Sequence, residues 1–377
     1  MKQQLTLSNK RPKTITILGK TYQLPIYLPD ATLGVVRGLS SSQVSQTGIQ
    51  GVVINTYHLM TTPGTEVLDA VGGIKKFMNW QGLTASDSGG FQLFSLIHKN
   101  PKLGKIIDDG VVLYSGEKQQ KKTLFTPENS IQVQFSIQSD IKICLDDFSP
   151  IDASPKRLKE SVERTISWAK RCKIEFEKQC KIHGFTKENR PLLLAVIQGQ
   201  RDYDLRRYCG EELAKIGFDG YGLGGWPFDE AGNFDYEMCR VNAEASPSEA
   251  LRFALGIGSP ENIVQLRAMG YDIFDCVLPT RDARHQRLYT FAKDPKTIDF
   301  SKDEKWYEYL YIGRGLLATD HSPVSSWCDC ETCSNYSRAY LHHLFQVKDN
   351  LAFSLATTHN LHFYAKLMEL LQKKSEI

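Results

Sequence analysis

Seven short apolar runs recur along the chain, separated by amphipathic stretches, and few folds accommodate that rhythm. They are GVVIN (51–55), LTASD (83–87), IKICLD (141–146), LLLAVIQG (192–199), YGLGG (221–225), FALGIG (253–258) and DIFDC (272–276). Continuous apolar strands alternating with helices build a parallel sheet covered on both faces. The helix signals agree: Thr126 and Pro127 open a segment running to Gln138, and a polar-faced run extends from Pro155 to Gln179. Seven or eight such units in ~250 residues fit a closed (β/α)₈ barrel of the TIM type, an α/β fold, better than an open sheet. No GxGxxG opens the first unit, so a dinucleotide fold has little support. Residues 14–28 (TITILGKTYQLPIYL) read as a β-hairpin ahead of the barrel.

The C-terminal ends of these runs carry Asp87, Asp146, Gln198, Gly224 with Gly225, Gly256 and Asp275. Barrel enzymes assemble their sites from that face. Helix capping explains Asp146 or Gln198 alone, but not an acid followed by Ser88-Gly89-Gly90-Phe91-Gln92. Two glycines there allow close approach to a flat ligand, and Phe91 offers a face to stack on. In LRFALGIGSPENIVQLRAMGYDIFDCVLPTRDAR (251–284), Asp275 stands at a buried strand tip with Arg281 and Arg284 just beyond. A carboxylate so placed must be held by partners or used, and the cations suggest an anionic substrate. A plain cap or ion pair at Asp275 is the simpler alternative on this stretch alone.

Past residue 285 the alternation stops, and an aromatic-rich section leads to Cys328, Cys330 and Cys333, with His359 further on. Three thiolates in C-x-C-x-x-C and one imidazole complete a tetrahedral set with no open position, the pattern of a structural zinc. His342, His343 and His362 rival His359 on spacing. The expected division is a barrel with its hairpin over 1–285 and a zinc-binding subdomain over 286–377. The KQQKK run (118–122) reads as a solvated loop. Nine cysteines, six without pattern, favour a reducing compartment over a disulfide framework. A net charge of +3 permits a nucleic-acid partner without requiring one. No signal-peptide core or membrane-spanning run is evident, so a cytoplasmic protein is expected.

Together these pieces resemble the tRNA-guanine transglycosylase family, which places queuine or its precursors at the wobble position of tRNA. The matching stretches are NTYHL (55–59), SDSGGFQLFSL (86–96), LFTPENSIQ (124–132), SDIKICLDD (139–147), VIQG (196–199), GLGG (222–225), LGIGSPENI (255–263), FDCVLPTR (274–281), the C-x-C-x-x-C segment, and NYSRAYLHHLF with THNLHFY towards residue 364. They follow family order along nearly the whole chain. The resemblance implies Asp275 as covalent nucleophile and Asp87 as general acid/base. It implies a base pocket of Asp87, Ser88, Gly89, Gly90, Phe91, Asp146, Gln198, Gly224, Gly225 and Leu255. It implies RNA contacts from Gly256, Ile257, Gly258, Ser259, Pro260, Glu261 and Asn262, and from Thr280, Arg281, Asp282, Ala283 and Arg284. One zinc per chain on Cys328, Cys330, Cys333 and His359 follows, as do a tRNA bearing a wobble guanine, a 7-deazaguanine base and a homodimer.

The chain departs from the usual bacterial pattern at several places. LDD replaces FDE and is followed by Phe148; Trp226-Pro227-Phe228-Asp229-Glu230 follows the glycine pair; DARHQ follows the nucleophile motif; and the section between Tyr289 and Trp327 is long. In the resembling enzymes the positions of Phe148 and Phe228 border the 7-substituent, so their bulk favours 7-aminomethyl-7-deazaguanine, its ammonium meeting Glu230 or a backbone carbonyl, with free queuine as the alternative incoming base. A non-catalytic tRNA-binding subunit is the competing class, and it predicts loss of Asp275 or Asp87; both are present. A relative acting on DNA or at a non-anticodon position is a third reading.

Overall fold

The computed structural model describes residues 11–115, 121–229 and 231–374. Eight strands form one parallel sheet: β1 Ile26–Pro29, β2 Gly51–Ile54, β3 Leu83–Ser86, β4 Ile141–Ile143, β5 Leu192–Ile197, β6 Gly220–Leu223, β7 Leu251–Ala254 and β8 Ile273–Cys276. They run in chain order from β2 to β8, and β8 pairs with β1 through Ile273–Ile26 to Cys276–Pro29. One bridge, Asp30 to Val53, closes the circle, with the Ala31 N–H donating to the Val53 carbonyl at 2.8 Å. Leu28, Ala85, Ile143, Val196, Phe253 and Ile273 fill the interior, so the barrel is a packed core rather than a pore.

The hairpin is shorter than the sequence suggests. Thr14–Ile17 pairs with Lys20–Gln23, while Ile26–Pro29 is the first barrel strand. Flanking prolines and only four residues of Ile-Tyr-Leu-Pro left β1 with no turn signal separating it from the hairpin. Ile17, Tyr22 and Leu24 join the interior cluster, so the hairpin helps to fill the barrel core.

Two antiparallel additions stand outside the alternation. Gly104–Ile107, Gly110–Ser115 and Lys121–Phe125 form a three-stranded sheet between β3 and β4. Lys121 and Lys122 therefore begin a strand, and the rest of the KQQKK run lies outside the described residues. Arg287–Phe291 pairs with Tyr307–Tyr311 in the long section after Tyr289. Helices cover the outside: Pro127–Ile137, capped by Thr126, and Pro155–Ile182, capped by Ser154, sit where Pro-led starts place them.

The final helix, Asn350–Lys374, returns to the barrel. Leu361, Tyr364 and Leu371 share a core with Tyr27, Val52 and Phe274. Gln372 donates to the Pro25 carbonyl at 2.9 Å, and Tyr364 to that of Gly258 at 2.6 Å. We therefore propose the division at residue 285 in a looser form: the metal-bearing segment leaves the barrel, and its last helix comes back to the barrel wall. No helix among the described residues is long and apolar enough to cross a membrane.

Candidate active site

Three carboxylates from three strand ends set the character of the barrel mouth. Asp275 lies in β8, and its Oδ1 accepts the Gly256 N–H at 2.9 Å. Its other oxygen has no partner among the described residues. Asp87, one residue past β3, accepts from Asn55 Nδ2 at 2.6 Å, the Thr56 N–H at 2.8 Å and the Gly89 N–H at 3.0 Å. Asp146, beyond β4, accepts from Gln198 Nε2 at 2.6 Å. Each group sits deep among protein atoms yet keeps an edge open to solvent.

Burial raises all three pKa values, because a charged carboxylate loses hydration there. Asp275 is pushed up to about 7, against the Gly256 hydrogen bond and with help from the charges of Asp30 and Asp87. Asp87 is pushed up to about 6 despite its backbone donors. Asp146 reaches about 7, against the Gln198 bond and with help from Asp147 and Asp87. Carboxyls held near neutrality suit nucleophilic and proton-transfer work, where one member must be charged and another protonated.

The consecutive acids Asp146 and Asp147 have different surroundings. Asp147 is buried and gripped by Arg157 at 2.6 and 2.8 Å and by Arg164 at 2.6 Å. It anchors the start of the long helix and leaves Asp146 for the mouth. Gln198 Oε1 is buried without a hydrogen-bond partner among the described residues.

Phe91 is 49% exposed, with its ring edge-on to Phe148 at 5.3 Å, so a stacking face is available. Leu255 is half-buried across from Gly222, where an added Cβ would lie 2.8 Å from its Cδ1. Gly224 and Gly225 follow β6, and Gly225 has φ +89. The Ser88-Gly89-Gly90 turn follows Asp87 at the end of β3. All three residues are buried, and a Cβ at Gly89 or Gly90 would crowd Tyr57 or Leu145. The turn is thus packed closely on its protein side.

The two stretches assigned to RNA are only partly outward. Gly256, Glu261 and Arg281 are exposed, and Ser259 and Arg284 half-exposed. Ile257, Gly258, Pro260, Asn262, Thr280, Asp282 and Ala283 are buried. Asp282 holds Arg287 at 2.7 Å and accepts the Tyr289 hydroxyl. Arg284 has one buried nitrogen without a partner among the described residues, and its neighbours include Arg37 and Arg281. Sequence reasoning missed Arg37, Asp30, Asn55 and Thr56. Asn55 stands one residue past β2, so extending the strand-end argument to that run would have found it.

Away from the mouth, Cys328, Cys330, Cys333 and His359 bring four donor atoms within 4.8 Å of one another. The three sulfurs lie 3.6, 3.6 and 3.2 Å from His359 Nδ1. A tetrahedron with metal–ligand bonds of about 2.0–2.3 Å has edges of roughly 3.5 Å, so the set fits one ion. His359 Nε2 is 2.7 Å from the Tyr289 carbonyl, which orients the ring and leaves Nδ1 for the metal. The rival histidines are engaged or turned away: His342 meets the Ile312 carbonyl, His362 meets Asp329, and His343 is exposed.

Comparison with known proteins adds an independent line. A family model described as queuine tRNA-ribosyltransferase matches residues 7–374. A protein of that name from Caldanaerobacter subterraneus is 39% identical over 347 residues, covering 92% of this chain and 85% of the relative. One from Desulforapulum autotrophicum is 36% identical over 361 residues, 96% and 90% of the two chains. One from Staphylococcus aureus is 35% identical over 349 residues, 93% and 84%.

Proposed function

The chain belongs to the queuine tRNA-ribosyltransferase family, and on that premise we propose that it exchanges the wobble guanine of tRNA for a 7-substituted 7-deazaguanine through a covalent intermediate on Asp275. The observation that carries this is the open Asp275 oxygen beside the proton-tuned Asp87. The wobble nucleotide is turned out of its stack into the barrel mouth. Its guanine lies against Phe91 and Leu255 and is read by Asp146, Gln198 and the backbone at Gly225.

Asp275 attacks the anomeric carbon as the bond from carbon to guanine breaks, and Asp87 gives its proton to the departing base. A ribosyl ester remains on Asp275. The incoming base gives its ring proton to Asp87 and attacks the same carbon, which frees the Asp275 carboxylate. Two inversions leave the configuration retained. Arg37, Arg281 and Arg284 supply a cationic rim for the phosphates. Zinc is the ion we assign to Cys328, Cys330, Cys333 and His359. With no open position it supplies structure, and no step passes through it.

Phe148 and Phe228 support 7-aminomethyl-7-deazaguanine over queuine as the incoming base; Glu230, the counter-ion considered for its ammonium, lies outside the described residues. A homodimer is proposed on the resemblance alone, and a cytoplasmic location on the cysteine usage. The test is mass spectrometry of tRNA incubated with the enzyme and each base. Incorporation at the wobble position supports the proposal, and no incorporation of any base, labelled guanine included, overturns it.

A further inference from the structure

Gln200 is a residue the reaction does not use, yet its placement is unusual. It is 4% exposed and holds φ +46, a left-handed conformation that costs a non-glycine residue free energy and persists where the surroundings impose it. Its amide spans two loops. Nε2 donates to the Ser149 carbonyl at 2.6 Å, and Oε1 accepts the Trp226 N–H at 3.1 Å. Ser149 adjoins Phe148, and Trp226 lies two residues before Phe228. Gly225 closes on the same amide, since a Cβ there would lie 2.9 Å from Gln200 Oε1.

Arg206 secures the Gln200 backbone from behind. It is fully buried and donates to the Gln200 carbonyl at 2.9 and 3.2 Å, the Ile197 carbonyl at 2.9 Å and the Gly224 carbonyl at 3.0 Å. The ends of β4, β5 and β6 are thus tied together beneath the face carrying Asp146, Gln198 and Gly225.

We infer that Gln200 is a specificity-determining positioning residue: its side-chain amide fixes the separation between the Phe148 loop and the Phe228 loop, and so limits the size of the 7-substituent the enzyme accepts. The inference rests on the proposed base exchange, with those two loops bordering the substituent. Releasing either bond lets the loops part and admits a larger base.

The test compares Gln200→Gly and Gln200→Glu with wild type. Glycine adopts φ +46 freely, so the first variant keeps the fold while removing the crosslink. Glutamate keeps the acceptor for Trp226 and, when ionised, loses the donor to Ser149. The readout is kcat/KM for queuine divided by kcat/KM for 7-aminomethyl-7-deazaguanine on one tRNA. A general loss of folded enzyme cancels in that ratio. The expected result is a rise of about tenfold for Gln200→Gly and a smaller rise for Gln200→Glu. Equal losses on both bases, or a ratio that falls, overturn the inference. Labelled-guanine exchange by wild type separates the two levels: if it is absent, the proposed reaction fails; if it is present with an unmoved ratio, only the role of Gln200 fails.

Discussion

Gln198 donates to Asp146 across 2.6 Å, so two strand ends are joined before any base arrives. The bond leaves Gln198 Oε1 buried and unpaired, and it opposes the burial that raises Asp146 towards neutrality. A guanine-like edge offers donors to both groups.

Gln198→Ala should therefore weaken base binding more than RNA binding. Removing a buried partner costs about 1–3 kcal/mol, or roughly ten- to a hundredfold in affinity. KM for the base should rise by that factor while anticodon stem-loop affinity, measured by filter binding, stays within about threefold. An equal loss on both would place Gln198 outside the base pocket.

Asp275 carries a stability cost with a definite pH window. Its folded pKa is about 7, above the ordinary carboxylate value of 3.8. Between those limits the folded chain holds a proton that the unfolded chain has released, so stability falls as pH rises through the window. Asp275→Asn should melt higher than wild type at pH 8, with the difference closing towards pH 4, and should form no denaturation-resistant adduct with RNA. A variant that melts lower at every pH would refute the assignment of strain to this carboxyl.

The metal set makes a separate prediction. Purified protein should contain one zinc per chain by elemental analysis, and Cys330→Ser should lower both zinc content and melting temperature. Active enzyme free of zinc would end the assignment.

The aromatic neighbours of the pocket predict base choice. Phe148 packs on Phe91, while Phe228 sits between Trp226 and Phe234. Overfilling a packed site costs about 1–3 kcal/mol. In direct competition, 7-aminomethyl-7-deazaguanine should be used ten- to a hundredfold better than queuine, and Phe148→Val with Phe228→Gly should narrow the gap. Faster incorporation of queuine by wild type would reverse the reading.

The strand-end acids were legible because a buried strand finishing in a carboxylate has few explanations, and Asp87, Asp146 and Asp275 all reach the mouth. The cysteine spacing was equally direct. What stayed hidden has physical causes. Ile26–Pro29 is too short to show a period and merges with the hairpin before it. The strand Tyr307–Tyr311 alternates weakly because one face is all tyrosine while the other pairs Glu308 with Leu310, and neither face is buried. Asp30 follows a strand too short to be recognised, Gln200 stands two residues past the strand-end Gln198, and Arg37 belongs to no spacing pattern. Within the stretches assigned to RNA, a contiguous motif does not show that Asp282 turns inward while Arg281 turns out.

The single bridge between Asp30 and Val53 has a mechanical consequence. Elsewhere the cylinder is laced by ladders of successive pairings, but this seam relies on the final helix lying across it, with Ala365 against Gly48 and Gln372 on Pro25. Peeling that helix away unfastens the wall at Asp30, a neighbour whose charge both Asp87 and Asp275 feel. Hydrogen exchange should find the Ala31 amide among the first of the barrel's amides to trade its proton with solvent, and zinc removal should hasten it, because His359 pins the same helix. The final helix thus covers the wall beside the one seam held by a single bridge.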